Sequence, residues 1–161
     1  MDDLAQKTRA LELWNEGVQH HLLHDLGGAI RLYTKSIETF PTAEAYTFRG
    51  WAYQAMGRLD DAIAECKRAI AVDPSFGNPY NDIGAYLMAK GELDEAIGWL
   101  EQATRAPRYE PRHFPHMNLG RLYEAKGMFS RAIAEFERAL SFEPNEPTCT
   151  AMLQRLRTML N

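Results

Sequence analysis

The sequence predicts an all-α fold, a right-handed solenoid of four helix–turn–helix repeats closed by a C-terminal capping helix, with residues 1–161 forming a single domain. Three observations predict it. Ala-Ile pairs begin at Ala29, Ala62, Ala96 and Ala132, and Gly17, Gly50, Gly84 and Gly120 precede them by twelve residues, giving spacings of 33, 34 and 36. Prolines follow at Pro41, Pro74 and Pro144, where the second helix of a unit should stop. The final stretch, "PTCTAMLQRLRTMLN", drops the repeat but keeps one apolar face.

The units run over approximately 10–42, 43–76, 77–112 and 113–146, with the cap at 147–161. In each, the first helix carries the glycine and the second an alanine expected to face it, so that the backbones approach closely. Leu13, Tyr53, Leu87 and Tyr123 fill the sides from first helices, and Tyr33, Leu100 and Phe136 from second helices. Gly57, Gly91 and Gly127 end first helices, where a left-handed residue needs no Cβ. The acids of "LDDA" and "LDEA" then meet the positive start of the next helix. The first unit is the weakest, with His24-Asp25-Leu26-Gly27 in place of the glycine turn. In the cap, Met152, Leu153, Leu156, Met159 and Leu160 share the face that should cover the last unit.

These residues resemble the tetratricopeptide repeat family. The fourth unit matches best, with His116, Leu119, Gly120, Tyr123, Ala132, Phe136 and Pro144, and the resemblance extends over residues 10–146. It implies a non-enzymatic adaptor, scaffold or chaperone-like module without a cofactor. First helices would line a concave groove that binds an extended or helical segment of another protein. Carried over position by position, the groove takes Trp14, Asn15 and Val18, then Phe48 and Trp51, then Asn81 and Met88, then Phe114, Met117, Asn118 and Arg121. An apolar track of this kind marks a binding surface. Asn15, Asn81 and Asn118 would hydrogen-bond an extended peptide. Family co-chaperones grip acidic C-termini with a Lys/Asn/Asn/Lys/Arg clamp, but here those places hold Trp14, Val18, Phe48, Asn78 and Asp82. That clamp is absent.

Composition agrees with a protein partner. A net charge of −4 lacks the basic face that nucleic acid requires. The start "MDDLAQKTRALELW" does not read as a secretory signal, and no apolar run is long enough for a membrane span. Cys66 and Cys149 have no metal or redox spacing and are expected as free thiols, which points to the cytoplasm. His20 and His24 lie one helical turn apart but lack completing ligands, so no metal site is expected. His113 and His116 sit near a helix start rather than forming a catalytic dyad, and Asp60-Asp61 and Glu135/Glu137 are expected as solvated charges.

The stretch "RAPRYEPRHFPH" falls between the third and fourth units and is expected as a stiff joint. Arg105, Arg108, Arg112 and Arg121 outnumber Glu110, giving a possible secondary docking seam for an acidic or C-terminal segment. "EPRHFPH" also resembles a stretch in the repeat-containing chaperones of bacterial type III secretion translocators, which implies a bacterial source. That chaperone role and a self-assembling homo-oligomeric scaffold are the alternatives to an adaptor.

Overall fold

The computed structural model describes residues 2–161; Met1 lies outside them. They form nine helices: α1 (Asp3–Leu22), α2 (Leu26–Thr39), α3 (Ala43–Ala55), α4 (Leu59–Val72), α5 (Asn78–Ala89), α6 (Leu93–Arg105), α7 (His113–Ala125), α8 (Phe129–Phe142) and α9 (Pro147–Leu160). Consecutive helices pair as α1–α2, α3–α4, α5–α6 and α7–α8, and α9 packs on α8. The arrangement is an all-α solenoid. α1 also packs on α3, α3 on α5 and α5 on α7, whereas the second helices make no comparable contact with one another. The first helices therefore line the inside of the curve.

Local chemistry sets the helix starts. Asp2, Asp25, Thr42 and Glu146 each accept a hydrogen bond from a backbone N–H in the first turn, of Ala5, Gly28, Ala45 and Cys149. α4 and α6 have no side-chain cap but carry Asp60, Asp61, Asp94 and Glu95 in their first turns. The turns at Gly57, Gly91 and Gly127 have φ of 78°, 80° and 73°. In the first unit His24 takes the same role at φ 62°, which strains a residue bearing a Cβ. His24→Gly is therefore expected to raise stability by about 0.5–1 kcal/mol in urea unfolding.

The packing within units differs from expectation at one point. Glycine faces the residue four after the repeat alanine, not chiefly the alanine itself. A Cβ at Gly17, Gly84 or Gly120 would come within 2.6, 2.4 or 2.6 Å of Tyr33, Leu100 or Phe136. Only at Gly50 is the alanine backbone, Ala62 O at 3.0 Å, the nearest obstacle, because the bulky slot there holds Cys66. Tyr33, Leu100, Phe136 and Cys66 are all buried.

Two carboxylates are interior, one of them, Glu135, at a place expected in solvent. Glu65 and Glu135 are 2% and 8% exposed. Glu65 accepts from Arg49 Nε at 2.6 Å and from Arg68, and Glu135 pairs with His116 Nδ1 at 2.8 Å and Arg138 at 2.5 Å. Each buried carboxylate thus has the partners that burial demands. In the cap, Cys149, Leu153 and Leu156 are buried, but Met159 and Leu160 extend past α8 and are exposed. His20, at the repeat position of Tyr53, Leu87 and Tyr123, is exposed and contacts Asp25 at 2.8 Å.

The proline-rich joint is a latch. Gly77 N–H donates to Arg108 O at 3.0 Å and Arg108 N–H to Ser75 O at 3.0 Å, so the joint before α7 pairs with the joint before α5. Tyr109 is buried and lies over Gly77, where a Cβ would meet its ring at 2.3 Å. Arg108 crosses the Phe76 ring at 4.3 Å and bridges Glu44 at 3.0 Å and Asp73 at 2.8 Å. Arg112 donates to the carbonyls of Ala106 and Pro107 at 2.9 and 3.0 Å. Two arginines of the expected docking seam, Arg108 and Arg112, are thus occupied within the chain, while Arg105 is exposed.

Candidate functional site

The groove follows a register visible in the contacts. The residue three before the repeat glycine on one first helix meets the residue two before the glycine on the next. Trp14 meets Phe48 edge-on at 5.3 Å between ring centroids, and Asn118 Nδ2 donates to Asn81 Oδ1 at 2.9 Å. The same register sets Asp82 opposite Thr47, whose hydroxyl is turned onto Ala43 O at 2.7 Å.

Three regions result. At the N-terminal end Trp14, Phe48, Trp51 and His21 form an aromatic row, with Phe48–Trp51 at 5.1 Å and His21–Trp51 at 5.3 Å. Trp51 is 45% exposed, and the Trp14 indole N–H is buried with no acceptor. Partial burial, and His24 nearby, hold His21 below its ordinary pKa, which keeps the ring neutral beside the Tyr33 hydroxyl at 3.3 Å. A depression of about 370 Å³ opens beside this row, lined by His21, Leu22, Trp51 and Gln54.

At the centre lie Asp82 and Tyr86, one turn apart on α5. No hydrogen bond or ion pair reaches the Asp82 carboxyl among the described residues, and desolvation alone pushes its pKa up to about 7. Its side chain keeps part of its surface open. The Tyr86 hydroxyl is also buried without a partner, near enough to feel both Asp82 and Cys66. The sequence set Asp82 at a clamp position on the groove-lining helix but gave no sign that its carboxyl lacks a partner, and nothing there singled out Tyr86.

At the C-terminal end Phe114 is 44% exposed, Arg121 is exposed, and Asn118 is half-buried. Val18 and Met88 are half-buried and Asn15 is exposed. Asn81 and Met117 are covered, at 9% and 4% exposure, so neither presents the surface expected of it. Asn81 and Asn118 satisfy each other rather than waiting for a peptide. Glu124, farther along α7, pairs with Arg155 of the cap. Among the described residues no group of three or more His, Cys, Asp or Glu is placed to hold a metal ion.

Two stretches, residues 43–76 and 113–146, match the tetratricopeptide repeat family. These are the α3–α4 and α7–α8 pairs. Both pairs are tetratricopeptide repeats. Among its repeat relatives is the small glutamine-rich tetratricopeptide repeat-containing protein 2 of Mycosarcoma maydis, 36% identical over 97 residues that cover 60% of this chain and 27% of the relative. Heat shock protein STI1 of Saccharomyces cerevisiae is 34% identical over 74 residues, covering 45% of this chain and 13% of that one. Both relatives are fungal, which lends no support to a bacterial source. The matches span about a quarter or less of these relatives. Among solved structures, Pseudomonas aeruginosa pilF superposes with a TM-score of 0.89 at 21% identity, over 94% of this chain and 69% of that one. That likeness is one of fold. Tetratricopeptide repeats are protein-interaction modules, and no helix of this repeat protein among the described residues is long and apolar enough to cross a membrane.

Proposed function

We propose that the chain is a non-enzymatic adaptor or chaperone-like module that holds an apolar segment of a partner protein along its first-helix groove. The carrying observation is the aromatic row ending in half-exposed Trp51, with Phe114 exposed at the opposite end. A soluble helix leaves such side chains open at the cost of their hydration, and tryptophans in that setting act as binding anchors. The paired asparagines favour side-chain anchoring over backbone hydrogen bonding, hence a helical segment with apolar residues every three or four positions. The chain acts in the cytoplasm in this reading, in keeping with two buried thiols.

The test is partner retention by wild type beside Trp51→Ala/Phe114→Ala, both being exposed positions that leave the core intact. The recovered partner is expected to bind the variant at least about tenfold more weakly by calorimetry, since anchor truncations cost about 2 kcal/mol or more. Equal affinity would place the partner elsewhere. A second reading, head-to-tail self-assembly, is favoured by apolar residues exposed at both ends of the solenoid: Leu4 and Leu22 on α1 with Leu23 just after it, and Phe142, Met159 and Leu160 at the other end. A molar mass that rises with concentration in light scattering would select it.

A further inference from the structure

We infer that Asp82, with the Tyr86 hydroxyl beside it, is a receptor at the centre of the groove for a cationic side chain, lysine or arginine, of the partner segment. The inference rests on the groove being the binding surface and adds what its middle recognises. The Tyr86 hydroxyl is buried without a partner, which is rare in a protein interior, and the partly open Asp82 carboxyl one turn before it takes part in no hydrogen bond or ion pair among the described residues. Elsewhere in this chain the interior carboxylates Glu65 and Glu135 each hold two cationic or imidazole side chains. Asp82 has none.

The surroundings define the ligand. The titratable groups facing Asp82 are Tyr86 on α5, Cys66 on α4 and Tyr109 in the joint before α7, and none of them carries positive charge. Burial raises all three, so each stays protonated and neutral at neutral pH. Thr47, opposite on α3, has already committed its hydroxyl proton to Ala43 O. An anionic ligand would be repelled by an ionised Asp82. A metal ion would lack further ligands. A single ammonium or guanidinium fits: it restores the ionised carboxylate, and the Tyr86 hydroxyl can donate to that carboxylate from the other side. The aromatic row, one unit earlier, would take the apolar residues flanking the cation. The overall charge of −4 suits a basic segment.

The test uses the intact chain and needs no partner. Asp82 is assigned in carboxyl carbon NMR spectra by comparison with Asp82→Asn, and its titration is followed with n-butylguanidinium and with its neutral isostere n-butylurea. The guanidinium is expected to lower the Asp82 midpoint by about one pH unit at saturation, as an adjacent opposite charge does, and the urea to leave it in place. In Tyr86→Phe the shift is expected to shrink. An unmoved midpoint, or an equal response to the urea, overturns the inference and makes the pair a water-filled packing fault. Failure here with binding still lost in Trp51→Ala/Phe114→Ala removes only the cation receptor. A normal shift with binding unaffected in that double variant removes the groove reading and leaves Asp82 a cation site without the partner segment assigned to it.

Discussion

Asp82→Asn is expected to make the protein more resistant to urea at pH 8, by on the order of 3 kcal/mol, and no more resistant near pH 4. The sign follows from where the carboxyl titrates. In the unfolded chain it loses its proton near 3.8, but in the folded chain near 7. Between those values the folded protein holds a proton that the unfolded chain has released. Stability of the parent therefore falls as pH rises from about 4 to about 7 and is flat beyond. Asparagine has the same shape and never ionises, so the gap between the two proteins should open over that window and then stay constant. Urea titrations at half-unit pH steps measure it directly. A gap that does not depend on pH would mean that the carboxyl is not desolvated in solution. The same substitution removes the charge proposed to meet the partner, so stability and recognition should move in opposite directions. Binding sites commonly show that trade.

Tyr109→Ala is expected to lower unfolding stability by about 3–5 kcal/mol, the usual range for truncating a large buried aromatic side chain. The ring is buried against Tyr80, Ala103 and Ala106 and roofs Gly77. Its loss opens a cavity under two joints at once and undermines the backbone pairing of Gly77 with Arg108. Glu110→Ala, at the exposed neighbouring position, should change stability by no more than about 0.5 kcal/mol. A Tyr109→Ala penalty as small as that of Glu110→Ala would show that the latch is incidental to the fold.

Much of this architecture was legible because it is written in short-range devices. The Gly, Ala and Pro spacing marked every helix pair, and His24 was recognisable as the odd turn. What escaped the sequence reading depends on long-range pairing. Arg108 reads as a free cation until Asp73, 35 residues earlier, is folded beside it. Asn81 and Asn118, separated by 37 residues, read as two peptide hooks but close on each other. Glu135 had a usable signal. Glu65 and Glu135 both stand three residues after the repeat alanine, where the other units have Leu32 and Trp99. A carboxylate recurring at a place otherwise apolar points to an interior ion pair rather than to solvent. Asp82 and Tyr86 stand out only once burial is known, since what distinguishes them is the lack of a partner.

The latch between the two joints also bears on how the array comes apart. A stack in which each repeat touches only its neighbours unzips unit by unit from its weaker end. Here the backbone bridge from Ser75–Gly77 to Arg108 reaches across the whole α5–α6 pair and welds three of the four pairs into one cooperative block. The α1–α2 pair, with its strained His24 turn, lies outside that weld. Amide exchange should therefore be fast in α1 and α2 and slow, with a shared rate, from α4 through α7. Trp14 belongs to the loose pair, whereas Phe48 and Trp51 stand on α3. A segment lying along the aromatic row would bind across that line of weakness, so its arrival should be readable as slowed exchange in α1.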